Sequence, residues 1–285
     1  MIINSKPDII SLYNQPISLE ELKFFFIYCP NNSGSTALTQ YVGKQLNAYV
    51  PPFRCNEGQA LTDVKPIFKK ESKWGPKLGL DWELIKEKWA AHADGKIFVE
   101  GSPSTMMGHE TLKKTFGNDS SAIISICDPY MHTSSCMRRY GHSSLSSLTH
   151  KWVNVKAPHI LRLRDQNPHL PFITYEEFTN NPQVINERLN IPFLGDDIEG
   201  KPGSNMKGVK SGYVRSIAYM TLDELRSVNK MLRKHKDIVH SLGYEIKRPK
   251  RILREAEASD PEEFAKGVKR RRKADKISNN KSHLS

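Results

Sequence analysis

Residues 24–42 read FFFIYCPNNSGSTALTQYV, and this stretch constrains the fold more than any other. The apolar, aromatic opening is too short to cross a bilayer and has the length of a strand buried on both faces. A turn at Pro30, Asn31 and Asn32 follows, and Ser33-Gly34-Ser35-Thr36 leads into a helical pattern. Strand, small hydroxylated turn and helix, in that order, bring free backbone N–H groups and the positive helix end to one point. Such a point binds phosphate. Ser and Thr also start many helices as caps. The stretch alone leaves both readings open.

The same alternation runs through the chain. Apolar strand-like runs recur at residues 24–29, 97–99, 122–127 and 171–174, with helical patterns at 35–50, 81–91, 105–116, 132–153 and 181–189 between them. Strands that are apolar throughout and alternate with helices predict an α/β fold. The expected form is a P-loop-type parallel sheet with helices on both faces, three layers in all. Ligands in such sheets bind beyond the carboxyl ends of the strands. A further helix over residues 223–240 opens with a capping box, Thr221 and Glu224, and stops at Gly243.

The chain has 285 residues, a net charge of +12 and an isoelectric point near 9.4, with mean hydropathy −0.56. That length supports one core with appendages. The expected division is an N-terminal extension over 1–22, an α/β domain over 23–246 and a basic, mobile tail over 247–285. The tail has many charges and few large apolar residues. Its run Lys269–Lys273 reads first as a solvated charged helix and second as a binding site for a polyanion. Cys29, Cys55, Cys127 and Cys136 form no metal-type spacing and are expected as buried free thiols, and no metal site is expected. The N-terminus lacks a basic segment followed by an apolar one, and no run reaches eighteen apolar residues. A soluble protein of a reducing, cytoplasmic compartment is therefore expected, without signal peptide or membrane span.

Four more segments follow the first: Arg54-Cys55-Asn56-Glu57, Val99-Glu100-Gly101-Ser102, Cys127-Asp128-Pro129-Tyr130 with Ser135, and Tyr175-Glu176-Glu177-Phe178. Lys207-Gly208-Val209-Lys210 comes last. In this order the chain resembles the P-loop sulfotransferases, with local similarity to the tyrosylprotein and carbohydrate enzymes. That family uses 3′-phosphoadenosine 5′-phosphosulfate (PAPS), and the likeness covers residues 24–243. It implies that Asn32, Ser33, Gly34, Ser35 and Thr36 hold the 5′-phosphosulfate. By the same resemblance Cys127 and Ser135 lie at the 3′-phosphate, Tyr175 at the adenine, and Lys207, Gly208 and Lys210 in a loop closing over the nucleotide. Glu57 is the implied general base and Glu100 the second choice, with His132 and His142 behind them. An unidentified acceptor on a glycan, a protein side chain or a small metabolite completes the expected reaction, sulfuryl transfer to a hydroxyl or amine.

Three positions depart from the family pattern. Asn32 and Cys127 stand where basic residues are expected, and Gly101 stands where a lysine is common. A charge-assisted contact to phosphate contributes about 1.5–3 kcal/mol, so other cations must substitute. Arg54, Arg138, Arg139, Lys207 and Lys210 are the candidates. A descendant that binds PAPS or its product without activity is one alternative. A polyanion- or nucleic-acid-binding protein acting through its basic tail is another. A P-loop kinase or NTPase is disfavoured, because no Gly-x-x-x-x-Gly-Lys-Ser/Thr occurs.

Overall fold

The computed structural model describes residues 8–52, 56–69, 79–140, 145–196 and 212–282. In chain order the elements are β1 (Asp8–Ile10), β2 (Pro16–Ser18), β3 (Phe24–Tyr28), α1 (Ser35–Gln45), α2 (Lys65–Phe68), α3 (Trp82–Ala93) and β4 (Phe98–Glu100). Next come α4 (His109–Phe116), β5 (Ser120–Ile126), α5 (Pro129–Tyr140), α6 (Leu145–Lys151), α7 (Ala157–Gln166) and β6 (Phe172–Thr174). The remainder is helical: α8 (Tyr175–Asn180), α9 (Val184–Leu189), α10 (Tyr213–Ala218), α11 (Leu222–Lys234), α12 (Lys236–Ser241), α13 (Pro249–Ser259) and α14 (Pro261–Ser282). Among the described residues no helix is long and apolar enough to cross a membrane.

The chain divides into two compact units. Unit 1 joins Met1–Ile126 to Arg162–Lys210, and unit 2 joins Cys127–Leu161 to Ser211–Ser285. Unit 1 holds a four-stranded sheet in the order β4-β3-β5-β6, parallel throughout. The fold is therefore α/β, with a parallel sheet flanked by helices. Every residue of β3, β4 and β5 is buried, which is why these strands lack the alternation of a half-exposed strand. On one face Phe24 and Phe26 meet Phe116 of α4 edge-on, at 4.8 and 5.2 Å between ring centroids. Trp89 of α3 joins this cluster and stacks on Phe98 at 5.1 Å. Pleating turns Phe25 and Ile27 to the opposite face, where they are equally buried.

The N-terminal segment belongs to unit 1. Strands β1 and β2 form an antiparallel hairpin, the Leu12 N–H donates to the Ser120 carbonyl, and Ile9, Leu12 and Ile17 are buried. Helix α1 ends at Gln45, short of the expected residue 50, because Asn47 turns left-handed at φ 48°. The helical pattern of residues 132–153 resolves into α5, α6 and a π-helical turn, Trp152–Lys156. The capping box at Thr221 and Glu224 is present at the start of α11.

The expected mobile tail is instead two helices packed within unit 2. Ile252 and Ala256 of α13 are buried. Arg271 of α14 binds Glu224 at 2.7 Å and Asp275 at 2.8 Å, and its guanidinium lies over the Tyr219 ring. Low apolar content misled here because a few well-placed side chains and ion pairs dock an amphipathic helix without a long hydrophobic run.

Candidate functional site

The turn between β3 and α1 leaves the carboxyl end of an inner strand of the sheet. Asn32 and Gly34 take left-handed backbone, at φ 60° and 85°, on either side of Ser33. Alternation of hand along successive residues turns their N–H groups toward one concave side, the geometry that receives an anion. No side chain caps α1, whose Ncap is Gly34 itself. Ser33 and Ser35 are buried, and Thr36 is half-buried.

Tyr175 packs against this turn. It opens α8, directly after β6, where Thr174 and Glu177 form a reciprocal capping box. Glu177 also binds Arg188 at 2.7 Å. A Cβ on Gly34 would lie 2.2 Å from Cδ2 of the Tyr175 ring. The sequence pattern thus brings the 33–36 turn and Tyr175 together.

The carboxylates form a second cluster in unit 1. Glu100, the last residue of β4, is fully buried. Its Oε2 accepts from the Gly58 N–H and its Oε1 from the Ser102 N–H, both at 2.7 Å. Burial dominates and pushes its pKa up to about 8, the nearby charge of Glu57 adds to this, and the Ser102 and Gly58 donors oppose it. Glu57 is half-buried and accepts from Gln59 Nε2 at 2.5 Å. Gln59 Oε1 in turn accepts from Ser104 Oγ at 2.8 Å. Glu57 therefore keeps partial access to solvent, whereas both oxygens of Glu100 hold backbone in place. Gln59, Ser102 and Ser104 carry no motif of their own, and only their position beside the two glutamates marks them.

Each of the three departures from the family pattern has a local cause. Asn tolerates the left-handed backbone of position 32 far better than Lys or Arg does. A Cβ at Gly101 would lie 2.1 Å from Thr39 Oγ1 of α1, so a lysine there must displace that side chain. Cys127 is fully buried, an environment costly to an arginine.

The segment Cys127–Tyr130 with Ser135 falls in unit 2. Asp128 caps α5, its Oδ1 accepting from the Tyr130 and Met131 N–H groups at 2.7 and 3.0 Å. Burial raises its pKa to about 6, against the pull of those two donors and of Lys247. Ser135 is half-buried on α5 and accepts from Arg138 Nη2 at 3.2 Å. His132 is buried, with Nε2 2.7 Å from Lys156 Nζ and the Cys136 sulfur 3.6 Å away. With the ammonium donating, the imidazole is the neutral Nδ1–H tautomer, so His132 has no lone pair to offer as a general base. Cys29, Cys127 and Cys136 are buried free thiols.

Trp82 and Trp89, seven residues apart, are core residues of the α3 face. Arg54, Cys55, His142, Lys207, Gly208 and Lys210 lie outside the described residues. No family model, curated protein or solved structure matches the chain.

Proposed function

We propose that the protein is a PAPS-dependent sulfotransferase acting on a hydroxyl or amine acceptor. The observation that carries this reading is the left-handed Asn32–Gly34 turn at the end of β3, with Tyr175 against its glycine. The turn has the small residues and the helix start that a phosphosulfate needs. None of the described loop residues is a cation.

Ser33, Gly34, Ser35 and Thr36 hold the 5′-phosphate through backbone N–H groups. In the reaction the acceptor oxygen or nitrogen bonds to sulfur, and the bond from sulfur to the phosphate oxygen breaks. That bond's electron pair stays on the phosphate. N–H groups already aimed at the phosphate take up this charge without reorganising, which is the main source of rate. Glu57 receives the acceptor's proton, since it sits in unit 1 with partial solvent access and a hydrogen-bonded neighbour that orients it. Glu100 is a positioning residue, fixing the backbone at Gly58 and Ser102.

The binding-only alternative draws on one observation: Asn32, Gly101 and Cys127 all lack the charge of their family counterparts. Thermal-shift titration with adenosine 3′,5′-bisphosphate, ATP and a short DNA duplex separates the readings. Selective stabilisation by the bisphosphate, about 2.7 kcal/mol at a hundredfold excess over Kd, supports the nucleotide assignment. Equal or absent shifts for the two nucleotides overturn it, and a response to DNA alone points to polyanion binding. Sulfuryl transfer to a panel of glycans, tyrosine peptides and phenols then separates enzyme from binder.

A further inference from the structure

Helix α14 has two unlike faces. At about 100° per residue, Gly267, Val268, Arg271 and Asp275 fall on one side, and all four are buried or half-buried. A Cβ on Gly267 would lie 2.6 Å from the Arg215 carbonyl oxygen and 2.6 Å from the Ala218 Cβ, so this side rests on α10. Arg271 adds its bond to Glu224 and its contact with the Tyr219 ring. Lys269, Arg270, Arg272, Lys273 and Lys276 occupy the opposite arc, about 160° wide, and every one of them is exposed.

Acids and bases are segregated along the same helix. Glu262 and Glu263 stand in its first turn and engage Lys266 and Arg215. From Gly267 to Lys276 the one acid is Asp275, which Arg271 holds at 2.8 Å. Among the described residues no carboxylate pairs with any of the five exposed cations. The helix macrodipole favours cations only near the last turn. Helix α14 runs on to Ser282, so residues 269–273 lie beyond that effect. At spacings of three and four the like charges repel, and an anionic partner removes the repulsion.

We propose that the exposed face of α14 binds duplex DNA through its phosphates, without regard to sequence. Five cations on one docked helix face, spread over about 10 Å of its axis, match a row of phosphates better than a single small anion. The arc carries no aromatic side chain, whereas single strands are held by stacking on aromatic rings. A membrane-surface helix buries an apolar face in the lipid, and here the face opposite the cations is docked on α10. The B-form major groove admits an α-helix, while the deep, narrow groove of duplex RNA does not. The surface lies wholly in unit 2 and does not rest on the sulfotransferase reading.

The test follows the fluorescence anisotropy of a labelled, mixed-sequence DNA duplex with the full chain, between about 50 and 200 mM salt. The logarithm of affinity should fall linearly with the logarithm of salt, with a slope of about −4 to −5. A second duplex of unrelated sequence should bind equally. Lys269→Gln, Arg272→Gln and Lys273→Gln combined should flatten the slope by roughly 3 and weaken low-salt binding by about tenfold or more. Lys23→Gln, Lys96→Gln and Lys114→Gln combined remove the same charge from exposed positions in unit 1 and should leave binding nearly unchanged. Glutamine is a good helix former, so the α14 variant should keep or exceed the wild-type Tm. An unchanged slope in the α14 variant, an equal loss in the unit 1 set, or a lower Tm of the α14 variant overturns the surface. Tighter binding to single-stranded DNA, duplex RNA or phosphatidylserine vesicles overturns the choice of partner. Stabilisation by adenosine 3′,5′-bisphosphate reads the turn after β3 and not this surface, so the two assignments fail separately.

Discussion

The Tyr175 ring occupies the space that a side chain on Gly34 would need, with Cδ2 2.2 Å from where a Cβ would stand. The first residue of α8 thereby fixes the shape of a turn more than a hundred residues earlier in the chain. Glycine is required at position 34 twice over, by this contact and by φ 85°. Left-handed backbone alone costs a non-glycine residue about 1–2 kcal/mol.

Gly34→Ala should therefore destabilise unit 1, and Tyr175→Ala in the same chain should recover the steric part of the loss. A coupling of about 0.5–3 kcal/mol between the two substitutions is expected in denaturant titrations. Additive effects would show that the ring does not constrain the turn.

Glu57→Gln keeps size and hydrogen bonding while removing the carboxylate's affinity for a proton. On whichever acceptor proves active, turnover should fall by roughly 10²–10⁴-fold, with adenosine 3′,5′-bisphosphate affinity nearly unchanged. Full turnover in this variant would remove Glu57 from the mechanism and turn attention to Glu100→Gln.

Glu100 makes stability depend on pH in an unusual direction. Its folded pKa of about 8 lies above the ordinary 4.5, so protonation favours the folded state. The contribution is fully present below pH 4.5 and is lost as pH rises through about 8. Asp128 acts in the same sense but has finished titrating above about pH 6. The wild-type Tm should thus decline between pH 7 and 9, and Glu100→Gln should flatten that slope. An equal slope in both proteins would assign the decline to other groups.

A lysine at position 101 tests whether the space beside Thr39 excludes one. Gly101→Lys should lower Tm, because its Cβ would fall 2.1 Å from Thr39 Oγ1. Thr39→Ala should recover part of the difference. A stable Gly101→Lys protein with Thr39 intact would mean that β4 and α1 have room to separate.

Truncation at residue 246 removes buried Ile252 and Ala256 and the Arg271–Glu224 pair. Ile252→Ala alone should cost about 2–5 kcal/mol, and the truncated chain should melt well below the full one. An unchanged Tm would return this segment to the mobile tail that its composition suggests.

The pattern of apolar runs alone determined the parallel sheet, its four strands and the turn after β3. Burial on both faces leaves its mark in consecutive residues, and a strand followed by Ser-Gly-Ser-Thr and a helix is local information. The capping box at Thr221 and the stop at Gly243 were legible for the same reason, since a cap is made within a few residues. Tertiary structure decided what depends on residues distant in sequence. Gly34 meets Tyr175, Gly101 meets Thr39 and Glu100 meets Gly58 only once the strands lie side by side. The raised pKa of Glu100 comes from burial that no local pattern encodes. The packing of α13 and α14 depends on helix docking. A charged helix looks much the same in sequence whether one narrow face is buried or none. That face is set by its partners, here Ala218 and the Arg215 carbonyl against Gly267.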